Sequence, residues 1–184
     1  MNSVRLAILV LVSAVSACTT SPTKTREGQT MDFLASEVRI TEHRGADDLL
    51  SAGLGLAGLA GAPSRIADPL HPTAAELRRR AIQMSWKGIA DLGPLGGYGK
   101  VYGGVPAVPG REYSAFARLP GANAPFRVLL QAPDHFDARK RCLIVAPSSG
   151  SRGVYGAIAL GGAFGLPQGC AGVYPSTGPG AGWP

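Results

Sequence analysis

The sequence predicts an α/β fold: an open sheet made of an N-terminal hairpin and then a strand–helix–strand unit, preceded by an amphipathic helix. Three observations carry this. Residues 142–146, Cys-Leu-Ile-Val-Ala, are a short apolar run rich in branched side chains, the pattern of a buried strand. The run breaks into a Ser/Gly loop and resumes as an apolar segment of helical spacing over 154–166. Upstream, two alternating runs flank a Pro-Gly-Ala-Asn turn. Strand, Gly-rich loop, helix is where an α/β sheet presents chemistry, beyond the carboxyl ends of its strands.

The chain has 184 residues, enough for one ordinary domain. Its 26 Gly and 15 Pro demand much turn and irregular backbone. The net charge of +6 comes from scattered arginines and two short clusters, 78–80 and 139–141. No aromatic-interleaved basic stripe accompanies them, so nucleic acid is not an expected partner.

Residues 1–18 read as a signal peptide: Arg5, an apolar run over 6–12 too short to span a bilayer, then Val15-Ser16-Ala17-Cys18. That ending resembles the lipobox of bacterial lipoproteins, in which the cysteine is lipidated. Cleavage after Ala17 with Cys18 incidental is the other reading; a cysteine directly after such a cut favours lipidation. Either way the protein is expected to be exported, as a secreted protein or as an envelope lipoprotein held to the membrane by its lipid anchor. Residues 19–46 read as a polar tether. Over 47–62, Leu50, Leu54, Leu56 and Leu59 have partly helical spacing. Gly53, Gly55, Gly58 and Gly61 would each cost a helix about 1 kcal/mol, so the segment is expected to lie against the domain. With the helix that follows, it forms a Gly-rich unit over 47–104.

That helix is expected over 73–91. Thr73-Ala-Ala-Glu76 is a capping box, Leu77, Ala81, Met84 and Gly88 form one stripe, and Ile82, Trp86 and Ile89 lie beside it. Met84 and Trp86 read as core, and Gly93-Pro94 as the stop. Residues 96–104 are a Gly/Tyr loop without the G-K-[ST] ending or preceding strand of a phosphate loop. The core proper is expected over 105–174. Its hairpin arms are 113–118 and 126–131. His135 stands between Asp134 and Asp137 and reads as exposed, with no three-ligand metal spacing. After the helix, Pro167-Gln-Gly169 precedes a second strand over 170–174, closing a right-handed parallel crossover. Cys142 and Cys170 then sit at the entry ends of two strands. They form a disulfide if those strands are neighbours in register, and otherwise are two buried thiols. Residues 175–184 read as a Pro/Gly tail.

Ser149-Gly150-Ser151-Arg152-Gly153 is one residue from G-x-S-x-G. A nucleophilic Ser151 needs a histidine base, and His43, His71 and His135 all precede it, whereas in α/β-hydrolases the histidine follows the serine. After an antiparallel hairpin, the first strand–loop–helix unit is where that fold places oxyanion donors. Ser148, Ser149, Gly150, Ser151 and Arg152 are therefore candidate oxyanion-loop residues. A plain connector, or an anion site at the helix start with Arg152, are the other readings.

The blocks 148–158 with 169–171, 47–55, 68–79 and 96–99 occur in one order, and they resemble the D-3-hydroxybutyrate oligomer hydrolases, bacterial serine esterases. The resemblance runs over about 47–174 and leaves the tail of 175–184 unmatched. It implies an incomplete α/β-hydrolase-like sheet, no cofactor, short 3-hydroxybutyrate oligomers as substrates, and hydrolysis of their ester bonds through an acyl-enzyme. The family's serine elbow lies downstream of the matched blocks, so no catalytic residue is assigned in this chain. The chain is expected to be an inactive N-terminal fragment, with marginal stability from open sheet edges. A non-enzymatic envelope lipoprotein with a binding or structural role is the alternative. The basic surface suits the terminal carboxylate of such oligomers.

Overall fold

The computed structural model describes residues 33–149 and 151–176. Five strands form one mixed sheet in the order β1-β2-β3-β5-β4. They are β1 (Arg39–His43), β2 (Gly110–Ala117), β3 (Phe126–Pro133), β4 (Leu143–Val145) and β5 (Ala171–Pro175). β2 and β3 are the expected hairpin, paired antiparallel from Gly110↔Pro133 to Ala117↔Phe126. β5 runs antiparallel to β3 and parallel to β4, so the strand–helix–strand unit closes between neighbours.

β1 lies within the stretch read as a polar tether and corrects that reading. It pairs with β2 from Arg39↔Ser114 to His43↔Gly110, and Leu34 bridges Ala117. Arg-Ile-Thr-Glu-His has one aliphatic residue, and its inward side chains Thr41 and His43 are polar, so no apolar alternation marks it.

Two helices precede the hairpin, α1 (Gly55–Ala60) and α2 (Ala74–Lys87). α2 starts as its sequence dictates. The Thr73 hydroxyl accepts from the Glu76 amide, and the Glu76 carboxylate accepts from the Thr73 amide. It stops at Gly88, earlier than Gly93-Pro94 suggests, at a glycine, the residue type that helix interiors favour least after proline. Ile82 and Trp86 are buried, whereas Met84 is 52% exposed, which corrects its reading as core. The apolar segment after β4 is not one regular helix: a π turn (Ile158–Gly162), one turn of α3 (Ala163–Gly165) and a 3-10 turn (Leu166–Gln168) follow each other. A Cβ on Gly165 would stand 2.6 Å from Ile144, so glycine lets this segment lie directly on the sheet.

Leu49, Leu50, Leu59, Ile82, Trp86, Ile158 and Leu166 form the main core. The registers put Thr41, Glu112, Gln131, Gly172 and Ile144 in one row across the sheet, on the face the helical segments cover. The next row, Ile40, Tyr113, Leu130, Val173 and Val145, is on the opposite face. There Ile40, Leu143 and Val145 are each more than half exposed. Among the described residues no helix is long and apolar enough to cross a membrane.

Candidate functional site

A charged residue facing inward from a strand must be paired, and Glu112 is the centre of such a pairing. Its side chain is 5% exposed. Arg78 from α2 grips it with two bonds, Nη2 to Oε1 at 2.9 Å and Nε to Oε2 at 3.1 Å. Gln131 donates to Oε1 at 2.8 Å, Tyr155 donates its hydroxyl to Oε2 at 2.7 Å, and His43 Nε2 lies 3.3 Å from Oε2. Arg78 also reaches Asp47 at 2.9 Å and the Asp48 carbonyl at 3.0 Å. His43 Nδ1 meets Asp47 at 2.8 Å. The Arg78 guanidinium stands 5.8 Å from the centre of the Tyr155 ring.

Two cations thus face two carboxylates. Burial opposes charging His43, but the hydrogen bonds to Asp47 and Glu112 outweigh it and raise its pKa to about 9. Burial likewise opposes ionising Glu112, but His43 and Arg78 hold its pKa down at about 2. Burial and the adjacent Glu112 push the Tyr155 hydroxyl up, so it stays protonated as a donor. With a carboxylate at each ring nitrogen, His43 is held as an imidazolium and is unsuited to act as a general base near neutral pH.

The loop after β4 is tied down at several points. The Ser148 amide donates to Pro175 O at 3.0 Å, and the Ser148 hydroxyl to Val154 O at 3.1 Å. The Arg152 amide closes a turn onto Ser149 O at 3.1 Å. The Arg152 guanidinium lies across Gly88, where a Cβ would stand 1.9 Å from Nη1, and Nη2 reaches Gly88 O at 3.4 Å. This contact lies at the end of α2, and a cation there suits the helix C-terminus. Tyr155 then latches the far end of the loop to Glu112.

The loop, β1 to β3 and α2 enclose a cleft of about 900 Å³. Leu77, Ala81 and Met84 of α2 form one wall, Leu129 and Val154 the other, and Ser151, Arg152 and Tyr155 close one side. The loop leaves from the carboxyl ends of the parallel pair β4 and β5, where open α/β sheets bind ligands.

The 3HB-oligomer hydrolase family model matches residues 14–184. The chain belongs to the 3HB-oligomer hydrolase family. It is 41% identical over 189 residues to the D-(-)-3-hydroxybutyrate oligomer hydrolase of Burkholderia vietnamiensis, covering 96% of this chain and 27% of that protein. It is 42% identical over 193 residues to the protein of that name from Cupriavidus metallidurans, with the same coverages. With that of Burkholderia thailandensis the figures are 43% over 164 residues, 82% and 23%. The chain thus spans about a quarter of the length of these relatives. No solved structure matches it. The family match is wider than the resemblance over 47–174, and it takes in the Pro/Gly tail of 175–184, which corrects the reading of that tail as unmatched.

Within this member of the family, the candidate residues fall as follows. The Ser148 and Arg152 amides each donate to a carbonyl within the fold. Among the described residues no carbonyl takes the amides of Ser149 and Ser151. Gly150 and Cys18 lie outside the described residues. Cys142 and Cys170 are joined as a disulfide, with Cα atoms 4.7 Å apart. His71 pairs with Asp68, and His135 Nε2 lies 3.3 Å from Pro167 O, while Asp134 binds Arg44. The Glu112 network escaped the sequence reading, since its members are spread from His43 to Tyr155 and only His43 and Asp47 are near neighbours in sequence. One signal was present: Glu112 sits beside an alternating run, and a lone carboxylate there needs partners from elsewhere.

Proposed function

We propose that this chain contributes the front of an α/β-hydrolase-like esterase sheet that hydrolyses ester bonds in short 3-hydroxybutyrate oligomers. In this reading the cleft receives the oligomer. The Ser149 and Ser151 amides face the oxygen that becomes negative when the ester carbonyl is attacked, and the attacking group is not Ser151. Stabilising that oxyanion with preset amides is worth about 10²- to 10³-fold in rate per donor. The observation that carries the reading is the latched loop at the carboxyl ends of β4 and β5, opening on the cleft, in a chain of this family. An antiparallel pair leading into a strand–loop–helix–strand unit is how α/β-hydrolase sheets begin, which supports the same view. The disulfide and the pattern of residues 1–18 support export and anchoring at Cys18. Labelled fatty acid incorporated into the chain, and lost in Cys18→Ser, is the expected result for anchoring.

The test is a chimera in which this chain replaces the matched portion of the Burkholderia vietnamiensis relative, assayed on the linear 3-hydroxybutyrate dimer. Release of monomer at a rate within about tenfold of the parent supports the reading. A folded chimera with no turnover, beside an active parent, overturns it and favours a non-enzymatic envelope role.

A further inference from the structure

The charge of the cleft does not balance. Its carboxylates are all matched: Asp47 and Glu112 face His43 and Arg78, and Glu42 is held by Arg44 and by Arg111 Nε at 3.0 Å. Its remaining arginines include Arg39, Arg80 and Arg152, and among the described residues none of these three pairs with a carboxylate. Arg80 reaches Ser64 O at 3.3 Å and Arg152 reaches Gly88 O at 3.4 Å, contacts that leave both charges uncompensated. Along α2 the cleft wall is apolar, with Met84 half exposed beside Leu77 and Ala81. An apolar trough with surplus guanidinium at its rim fits a ligand with an apolar body and an anionic end.

We propose that Arg39, Arg80 and Arg152 form a subsite that reads the free carboxylate of a linear hydroxyacyl oligoester, with its methyl-bearing units lying along Leu77, Ala81 and Met84. This deepens the esterase reading and rests on it for the identity of the oligoester. Such an oligomer carries one carboxylate, at one end, while its internal ester carbonyls are weak acceptors. Guanidinium binds a carboxylate through paired, charge-assisted hydrogen bonds and binds an ester oxygen far less well. The subsite therefore distinguishes a chain end from the middle of a polymer. It places the scissile ester at a distance counted in units from the carboxylate.

The experiment is isothermal titration of the whole 184-residue chain with the linear 3-hydroxybutyrate trimer, as the free acid and as its methyl ester, at low and high salt. The free acid is expected to bind at least about tenfold more tightly than the methyl ester, with the gap narrowing as salt rises. The combined Arg39→Gln and Arg80→Gln variant, which leaves the Arg152–Gly88 contact in place, is expected to bring the acid to within about threefold of the ester and to leave ester binding unchanged. Lys140→Gln, an equal loss of charge per site outside the cleft, is expected to leave the preference intact. Equal affinity for acid and ester, a preference that survives the double arginine variant, an equal loss in Lys140→Gln, or no binding of either ligand each overturns the proposal. The esterase reading is tested separately: an active chimera with no acid-over-ester preference removes the subsite alone. An inactive chimera with the preference intact removes the esterase and leaves a carboxylate-binding cleft.

Discussion

At one end of the sheet, β1 and β2 are tied to α2 by buried charges, with Glu112 ringed by Arg78, His43, Gln131 and Tyr155. At the other end, β4 and β5 are tied by a covalent bond, Cys142 to Cys170 across 28 positions of sequence. The first fastening answers to pH and is indifferent to reductant. The second answers to reductant and is indifferent to pH. The loop after β4 depends on both, because it follows the strand that the disulfide ties to β5 at its other end, and it reaches the Tyr155 hydroxyl on Glu112. The loop is thus held by a polar latch at Tyr155 and by the packing of Val154 against Leu129 and Tyr174.

Each side can be broken alone. Glu112→Ala has the largest expected effect. It leaves Arg78 and His43 buried opposite one carboxylate instead of two, and removing one partner of a buried pair costs about 3–5 kcal/mol. Urea unfolding measures it. The Cys142→Ser, Cys170→Ser double variant comes next. Opening a loop of that length lowers stability by about 3–4 kcal/mol, and reductant added to the parent chain should reproduce the change.

The pH dependence separates the two ends further. Glu112 titrates near 2 in the fold against an ordinary 4.5, so its contribution is complete above 4.5 and fades as pH falls toward 2. His43 titrates near 9 against an ordinary 6.5, so its contribution is complete below 6.5 and fades as pH rises through 9. Stability is expected to level off between about pH 4.5 and 6.5 and to fall on both sides. His43→Gln should remove the alkaline fall, while the disulfide variant should lie lower at every pH with the same shape.

The smallest effect is expected for Tyr155→Phe. It removes one hydrogen bond to a charged acceptor, worth about 1.5–3 kcal/mol, and frees the end of the loop. Amide exchange at residues 151–154 should quicken while exchange in β2 and β3 holds.

The parts of the molecule held by apolar pattern were legible in the sequence. Alternation over 126–131, branched residues over 142–146 and the Thr73–Glu76 cap each carry their signal within a few residues, and each forms the predicted element. The parts held by polar contact were not. β1 has its inward positions filled by Thr41 and His43, whose reason for being there lies in Glu112 and Asp47. The carbonyl at the end of α2 is met by Arg152, 64 positions away from Gly88. Met84 follows the helical stripe, yet it faces the cleft because α2 presents Ile82 and Trp86 to the core instead. Local spacing reports burial well and long-range pairing of charge poorly.

The most direct measurement is steady-state turnover of the 3-hydroxybutyrate dimer by the chimera carrying Ser151→Ala and, separately, Tyr155→Phe. A loop that supplies amides and is held by Glu112 predicts kcat within about tenfold of the parent for Ser151→Ala, since the amide remains. It predicts a larger fall for Tyr155→Phe with little change in KM. Loss of about 10⁴-fold or more in Ser151→Ala, the scale of a lost nucleophile, with Tyr155→Phe unaffected, would contradict it.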